Sequence, residues 1–590
     1  MTISANYPTI RPSLLLDFAN EQVLDPRITF TRASTATYYD GQTTALAEQN
    51  LLTYSQDFSN GVWTKLNSTV TVNSTTAPDG TTTATTLLAN AGTSISPIIF
   101  ITPIFTNPAI YSVYAKAGTN NYIQICANNA SAYVNFDLSL GVVGTSVGYT
   151  GAIVSVGNGW YRCSAYGTLY STMRFYIAQS ASSGASTAYN PVGTESVYLW
   201  GAQLEQRSAV TAYTPTTTAA ITNYIPALQT AASGVARFDH NPTTGESLGL
   251  LIEQQSTNLV LQSEDFTTTW ATTNSSVGSN QVISPLGTLV ADKLIDTSAN
   301  TTHIVSQNVT TTAVAITLSL YLKAAGKTFA YLGINDSTNT QRLTYFNLTT
   351  GTVATIGTGI TPSITPVGNG WYRCIVTVAT AYAGVNPITI GCATADNTPT
   401  YIGNGVDGIA MFGAQLEANS FATSYIPTVA SQVTRIADVA SMTGTNFSSW
   451  YNISEGTIYS RFAIQALQAT GNAFNINDGT TGNYIRVINN LGTISSQMVT
   501  NTVNNVNISC ITLVPTGTYT AIASAYKTND YYESTNGNTG VADTSNVVPT
   551  VNQFQIGIAL TANSLNSTIS KLAYYPKRLT NAQLQALTGS

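Results

Sequence analysis

The sequence contains few charged residues. Asp, Glu, Lys and Arg make up 8% of its 590 residues, against about 25% in an average soluble protein. Thr, Ser, Asn and Gly take their place, and Thr and Tyr favour strands because their branched or ring-bearing side chains pack well on a pleated surface. The formal net charge is −6, and no run of Lys or Arg could neutralise a row of phosphates. We therefore expect an outward-facing β-protein that does not bind nucleic acid.

Long apolar runs are also missing. The apolar stretches have the length of strands, which is too short for a membrane-spanning helix. The first residues, "MTISANYPTI", have neither the basic nor the apolar region of a secretory signal. We expect no membrane insertion and no signal peptide.

Residues that carry catalysis or bind metals are scarce. The histidines are His240 and His303, and the five cysteines are not clustered and form no CxxC motif. The sequence predicts a protein that is not an enzyme, has no cofactor and buries its cysteines as small apolar side chains. A glycosidase would need two carboxylates beside a cleft, and no stretch identifies such a pair. A polysaccharide-degrading protein remains the alternative among enzymes.

The octapeptide "VGNGWYRC" occurs twice, at 156–163 and 367–374. Three further blocks repeat in the same order: "NLLTYSQDFSNGVW" with "NLVLQSEDFTTTW", "YSVYAKAG" with "LSLYLKAAG", and "LWGAQLEQRSAVTAYTPT" with "MFGAQLEANSFATSYIPT". The blocks define two copies of one domain, residues 46–216 and 254–430. We name them module 1 and module 2.

Alternating apolar and polar residues, separated by Gly, Asn and Ser clusters, predict many short strands in both modules. Residues 1–45 are interpreted as a leader, 217–253 as a linker and 431–590 as a third β-domain. At the end of the chain, Thr580 and Gln583 have the spacing of a capping box, and Leu584 and Leu587 share a face, so we expect a short helix there.

Two strings, "FTRASTATYYDG" (30–41) and "RFDHNPTTGESLGLLIE" (237–253), resemble stretches of bacteriophage tail-fibre and head-fibre proteins. In those relatives the two strings lie close together, so module 1 looks like an insertion between them. The modules resemble jelly-roll carbohydrate-binding modules, and 431–590 resembles concanavalin A-like (laminin-G-like) domains. The fold class expected is all-β, with tandem jelly-roll β-sandwiches followed by a concanavalin A-like β-sandwich.

The resemblance implies a virion protein on the exterior of a phage particle that adheres to host-surface polysaccharide. It implies docking to other virion proteins (portal, capsid or tail) through the N-terminal leader, and a homotrimer. A capsid-decorating or baseplate protein that binds no ligand is the structural alternative. Fold alone does not decide between them, because function depends on sites carried by the fold.

Candidate residues follow from the aromatic and acidic side chains. Stacking platforms for sugar rings are predicted at Trp450, Tyr531 and Tyr532, which the repeat does not pair. Core roles are predicted for Trp63, Trp160, Cys163, Trp270, Trp371 and Cys374. The resemblance to carbohydrate-binding modules implies a structural Ca²⁺ site in each copy, formed by Asp57 with Glu205 and by Asp265 with Glu417.

Arg162 and Arg373 lie two residues after the tryptophan of the octapeptide. Three roles are open for each: a structural ion pair with Glu205 or Glu417, a surface position, or a sugar contact.

Overall fold

The computed structural model describes residues 6–589 except 106–107, 127–131, 168–174, 185–187, 209, 212, 465–469, 512–513, 516 and 561–562. In these residues nearly all regular structure is strand. No helix in the described part of the chain is long and apolar enough to cross a membrane.

The elements before module 1 are β1 (Leu14–Leu16), α1 (Phe18–Glu21), β2 (Thr29–Thr31) and β3 (Ala36–Asn50). Module 1 contains β4 (Thr64–Leu66), β5 (Ser68–Thr75), β6 (Ala84–Ala89), β7 (Ile98–Ile101), β8 (Ala109–Ala117), β9 (Tyr122–Cys126), β10 (Tyr133–Asp137), β11 (Val142–Val147), β12 (Thr150–Gly157), β13 (Trp160–Gly167), β14 (Phe175–Gln179) and β15 (Ser196–Glu205). They are followed by β16 (Ile221–Ala231), β17 (Arg237–His240), β18 (Ser247–Ile252) and β19 (Ser256–Asn258).

Module 2 contains β20 (Ala271–Thr273), β21 (Ser275–Ile283), β22 (Leu289–Asp296), β23 (Asn300–Thr311), β24 (Ile316–Ala325), β25 (Phe329–Asn335), β26 (Gln341–Asn347), β27 (Thr352–Val353), β28 (Ile360–Pro366), β29 (Trp371–Val378), β30 (Gly384–Ala393), β31 (Thr400–Ile402) and β32 (Gly408–Glu417).

The remaining elements are β33 (Val433–Arg435), β34 (Val439–Thr443), α2 (Thr445–Ser448), β35 (Glu455–Ala463), β36 (Gly471–Asn477), β37 (Tyr484–Asn490), β38 (Thr493–Thr500), β39 (Val503–Ile511), β40 (Tyr519–Lys527), β41 (Asp530–Thr535), β42 (Val541–Asp543), β43 (Gln553–Ile556), β44 (Ser567–Tyr575) and α3 (Asn581–Thr588). The predicted capping box is present at the start of α3, and Leu584 and Leu587 are buried.

The chain divides into two compact units: residues 46–224, which hold module 1, and residues 1–45 with 225–590. The chain leaves the larger unit along β3 and returns along β16, and these two strands pair with each other. Module 1 is therefore an insertion in the sequence of the larger unit, as the two separated strings indicated.

Each module is a sandwich of two antiparallel sheets around its own apolar core. In module 1 the sheet orders are β11-β10-β9-β14-β7-β4 and β12-β13-β8-β15-β6-β5. Module 2 has the corresponding orders β27-β26-β25-β30-β23-β20 and β28-β29-β24-β32-β22-β21, and β31 adds to β23. The strand-for-strand correspondence confirms the tandem jelly rolls, and the sequence repeat is a repeat of whole sandwiches.

The third sandwich includes strands from three distant parts of the chain. One sheet has the order β17-β18-β44-β35-β40-β41-β42, with β1 on β44, and the other has the order β2-β34-β43-β36-β37-β38-β39. The division into a separate leader, linker and C-terminal domain is therefore wrong. Leu14 and Leu16 of the leader and Leu250 and Ile252 of the linker lie in the core of this sandwich, where their burial stabilises it.

Five buried charged residues join these parts; we call them the buried charge cluster. Arg32 Nη1 lies 2.9 Å from Asp438 Oδ1, and Arg237 Nη2 lies 2.6 Å from Asp438 Oδ2. Arg237 Nη1 lies 2.8 Å and Arg435 Nη1 3.4 Å from Glu253 Oε2. Burial alone would raise the pKa of Glu253, but the charges of Arg435 and Arg237 outweigh it and lower this pKa to about 2. Arginines on separate strands or strand ends thus pair with both acids.

The octapeptide strand turns its residues to two different faces. Cys163 and Cys374 are fully buried in the cores of their modules. Trp160 and Trp371, each 1% exposed, lie on the opposite face of the strand in smaller apolar clusters. Trp63 and Trp270 are also buried, in the main cores, and pack on Phe58 and Phe266 with ring centroids 4.8 and 4.9 Å apart. Positions three apart on a strand face opposite sides, so the Trp and Cys of the octapeptide fill different clusters.

Arg162 forms no ion pair with Glu205. Its guanidinium donates to the carbonyl oxygen of Thr211 and to Ser112 Oγ, while the amide and hydroxyl of Thr211 donate to Glu205. The threonine thus connects the arginine and the acid, and it fixes the segment that follows the last strand of the module. Module 2 repeats the arrangement with Arg373, Thr423 and Glu417.

The charge cluster predicts a large effect of Asp438→Asn on stability. Arg32 and Arg237 would each lose a buried carboxylate partner, and breaking a buried pair typically costs about 3–5 kcal/mol. Chemical denaturation should show a loss of this size for the larger unit. Asp25→Asn is the matched control, because the Asp25–Arg27 pair is partly exposed and should contribute less than about 1 kcal/mol. Equal effects of the two variants would contradict the prediction.

A second prediction concerns Asp239, which lies next to the cluster. Burial raises its pKa from 3.8 to about 6, although the Tyr39 amide and the charge of Arg237 act in the opposite direction. The folded protein therefore keeps a proton that the unfolded chain releases, and stability falls as the pH rises from about 4 to about 6. Asp239→Asn should remove this loss and gain up to about 3 kcal/mol at pH 7. Denaturation from pH 3.5 to 7.5 measures the difference.

The control for this pH series is Asp40→Asn. Desolvation raises the pKa of Asp40, but hydrogen bonds from Thr43 and Gln42 outweigh it and the pKa is lowered. Its contribution is present above the unfolded pKa and is lost as the pH falls. Relative to the wild type, the free energy of unfolding should rise with pH for Asp239→Asn and fall with pH for Asp40→Asn. The same pH dependence in both variants would refute the assignment to Asp239.

Candidate glycan-binding groove

The structure buries the predicted platform Trp450. Its side chain is 3% exposed, and Nε1 donates to the carbonyl oxygen of Asn446 at 2.9 Å. Its ring packs against Phe447, Phe554 and Tyr574 at centroid distances of 5.1, 5.5 and 5.0 Å. A stacking platform needs a free ring face, so the prediction for Trp450 is wrong.

Tyr531 and Tyr532 are also buried, at 2% and 7% exposure. Successive residues of β41 point to opposite faces of the sheet. Tyr531 enters the core between the sheets and donates to Glu533 Oε2 at 3.1 Å. Tyr532 lies in the cluster beneath α3 and accepts a hydrogen bond from the amide of Gly540. Both faces of the sheet are covered at β41, so alternation leaves neither ring free, and this prediction is wrong as well.

The carboxylates assigned to calcium are engaged in hydrogen bonds within the chain. Asp57 is exposed and Asp265 partly exposed, and each accepts hydrogen bonds from the amide and hydroxyl of the residue two positions later. Glu205 and Glu417 are fully buried and accept hydrogen bonds from a threonine six positions later. The residues that the structure describes contain no group of three or more His, Cys, Asp or Glu side chains that could hold a metal ion. We assign these carboxylates to structural hydrogen bonds.

A groove of about 470 Å³ lies at the edge of module 2, beside β20 and β23. This volume is in the range of small-ligand sites, which is about 300–1,000 Å³. The lining residues carry no charge and combine amides, hydroxyls and aliphatic side chains: Leu259, Leu261, Thr269, Ala271, Ser306, Gln307, Asn308, Val309, Thr310 and Gln432.

Gln307 holds one wall of the groove in place. Its Oε1 accepts from the amide of Leu261 at 2.9 Å, and its Nε2 donates to the carbonyl oxygen of the same residue at 2.9 Å. Nε2 also donates to Thr269 Oγ1 at 2.8 Å. On the other side, Gln432 Nε2 donates to the carbonyl oxygen of Leu259 at 3.2 Å. Side-chain amides thus fasten the 259–261 segment to β23 and make the groove a preformed feature.

Three polar side chains of the groove make no hydrogen bond with any residue that the structure describes. They are Ser306, Asn308 and Thr310, at alternate positions on the outward side of β23, and the last two are exposed. An amide offers two donors and two acceptor positions, and a hydroxyl offers both functions. Such uncharged groups match the hydroxyls of a neutral sugar without the cost of desolvating a charge.

Module 1 lacks this lining. Thr64 follows Trp63 and pairs with Phe100, just as Ala271 follows Trp270 and pairs with Ser306. This register places Phe100, Ile101 and Thr102 at the positions of Ser306, Gln307 and Asn308. Sequence comparison of the two copies could have found the groove, because Ser306 and Gln307 stand where module 1 has the apolar residues Phe100 and Ile101. The four repeated blocks do not include this strand, and the signal was missed.

No protein-family model matches the chain, and no curated protein is similar enough to count as a relative. Among solved structures, the CBM40 of a Ruminococcus gnavus IT-sialidase bound to alpha2,3 sialyllactose aligns with 24% of this chain and 88% of its own, at 14% identity and a TM-score of 0.22. Domains LG4-5 of the mouse laminin alpha1 chain align with 47% of this chain and 85% of their own, at 10% identity and a TM-score of 0.17.

The sialidase of Trypanosoma rangeli in complex with the inhibitor DANA aligns with 96% of this chain and 99% of its own, at 9% identity and a TM-score of 0.21. Such low values assign neither a ligand nor an activity to this chain.

Trp450→Ala tests the corrected role of this residue. Removing a large aromatic side chain from a core typically costs about 3–5 kcal/mol, and we expect a loss in this range by chemical denaturation. Tyr224→Ala is the control, because Tyr224 is 64% exposed and its loss should change stability by no more than about 0.5 kcal/mol. Unchanged stability of the Trp450→Ala protein would contradict the buried position of this residue.

Proposed function

We propose that the chain is a non-catalytic, glycan-binding fibre protein on the exterior of a phage particle, and that module 2 binds host-surface polysaccharide in the groove beside β23. The observation that carries the proposal is the free, uncharged lining of Ser306, Asn308 and Thr310 next to aliphatic walls. Amide and hydroxyl groups orient a sugar ring, and the aliphatic side chains of Leu259 and Leu261 contact its C–H faces.

The chemistry of the lining favours binding without catalysis. Hydrolysis of a glycosidic bond generally requires two carboxylates on either side of the scissile bond. The lining of the groove contains neither Asp nor Glu. A ligand held there would meet hydrogen-bond partners and no general acid. The polysaccharide-degrading alternative therefore receives no support from this groove.

The assembly is part of the same proposal. The leader and linker strings support a phage virion protein by their resemblance to phage fibres. We propose a homotrimer that docks to other virion proteins near its N-terminal end. One shallow groove in each chain gives a weak site, and several copies acting together raise the overall affinity through effective concentration.

A structural role without ligand is the second candidate, and module 1 favours it. Its positions corresponding to the groove carry Phe100 and Ile101, which offer no hydrogen bonds to a sugar. Module 1 would then extend the fibre while module 2 binds. If neither module binds, the whole chain is a capsid-decorating or baseplate component.

The test is binding of the full chain to host lipopolysaccharide and capsule, displayed at high density, with Asn308→Ala as the principal variant. Loss of an amide that makes one or two hydrogen bonds to the sugar should weaken binding about tenfold. Asn300→Ala is the matched control, because Asn300 is an exposed residue at the far end of the same strand. Absence of binding by the wild type, or equal binding by both variants, would refute the proposal.

A further inference from the structure

A second hollow, of about 280 Å³, lies on the third sandwich between α1 and the outer face of the sheet that contains β18, β44 and β35. Its lining differs from that of the groove in module 2 because it is strongly charged. Four ionisable side chains meet there: Asp17, Glu246, Arg461 and Lys571.

Arg461 is exposed on β35, and its backbone lies opposite that of Lys571 in the antiparallel register with β44. Its guanidinium carbon lies 4.6 Å from the centroid of the Tyr519 ring, and Nη1 donates to Ser570 Oγ at 3.4 Å. Tyr519 is itself fixed, since its hydroxyl donates to the carbonyl oxygen of Leu248 at 2.7 Å. No carboxylate of the described residues forms an ion pair with Arg461. The structure thus holds a planar fork of donors in position without a carboxylate partner, and this fork fits the two oxygens of a carboxylate.

The other charges narrow the class of ligand. Lys571 Nζ lies 3.1 Å from Asp17 Oδ2, and Asn20 Nδ2 donates to Asp17 Oδ1 at 2.9 Å, so these charges are already paired. Glu246 is exposed and forms no ion pair with the described residues. The four charges sum to zero, which disfavours a dianion such as phosphate. They suit a ligand with one carboxylate for Arg461 and neighbouring hydroxyls that donate to Asp17 and Glu246.

The lining of the hollow contains a further polar group. Ser247 Oγ, at the start of β18, is buried and has no hydrogen-bond partner in the described residues. It lies in the lining of the hollow together with Ser570. Hydroxyls at the base and charges at the rim match a polyhydroxylated ring better than a simple organic acid.

We propose that this hollow binds an acidic saccharide, with its carboxylate on Arg461 and its hydroxyls on the carboxylates and serines around it. The inference rests on the proposed glycan-binding function but uses another domain and another class of sugar. The chain would then carry two sites of different chemistry, one for neutral sugar units in module 2 and one for a uronic-acid-type unit on the third sandwich.

The experiment measures binding of the full chain to oligosaccharides of glucuronic acid and to glucose oligosaccharides of equal length, by titration calorimetry. We expect the acidic probe to bind at least tenfold more tightly at low salt, with the difference shrinking as salt is added, because the contact at the rim is screened. Arg461→Gln should remove the preference for the acidic probe, and Arg461→Lys should retain part of it.

Arg486→Gln is the matched control. Arg486 lies on β37 of the other sheet of the same sandwich, where it stacks on Tyr484 at 4.3 Å and donates to Gln497. Arg486→Gln should leave the preference for the acidic probe unchanged. Thermal unfolding checks that each variant folds. Equal binding of the acidic probe by Arg461→Gln and wild type, or an equal loss with Arg486→Gln, would overturn the inference.

The groove variant separates this inference from the proposed function. Asn308→Ala should weaken binding of the neutral probe and leave binding of the acidic probe unchanged. If it weakens both equally, the acidic sugar binds in the groove and the assignment to Arg461 is wrong, while the proposed function stands. If only Arg461→Gln has an effect, the groove proposal fails and the acidic site stands.

Discussion

The buried charge cluster is the constraint on which the larger unit depends. Arg32 follows β2, Arg237 begins β17, Glu253 follows β18, and Arg435 and Asp438 lie between module 2 and the third sandwich. A buried carboxylate or guanidinium without a partner is costly, so the strands of the leader, the linker and the C-terminal segment must assemble together. The cluster explains why charged residues lie at the ends of these strands in a chain that has so few charges.

Much of the fold could be predicted from the sequence because the two copies repeat their strands, turns and core residues. The two tandem modules, the all-β class, the tryptophans assigned to the cores and the terminal helix with its capping box followed from local patterns. The third sandwich could not be delimited in this way. Its strands come from residues far apart in sequence, and a hydrophobic pattern identifies a strand without naming its neighbour.

The sites were harder to predict than the fold for a related reason. Tyr531 and Tyr532 look exposed in a turn-rich stretch, but α3 covers one face of their strand and the second sheet covers the other. The groove depends on Gln307, whose three hydrogen bonds reach residues about forty positions away. In the sequence, nothing distinguishes Arg461 from other surface arginines. The hollow beside it is formed together with α1, which is distant in the sequence.

The pairing of β3 with β16 has an evolutionary consequence. Because these strands carry the chain out of the larger unit and back, the two ends of module 1 are neighbours; Gln49 Nε2 lies 3.3 Å from Thr222 Oγ1. A domain with adjacent ends can be replaced without rerouting the rest of the chain. Recombination at these strands exchanges one copy and leaves the charge cluster intact. Duplication followed by such exchange gives one copy freedom to diverge while the other keeps its sequence.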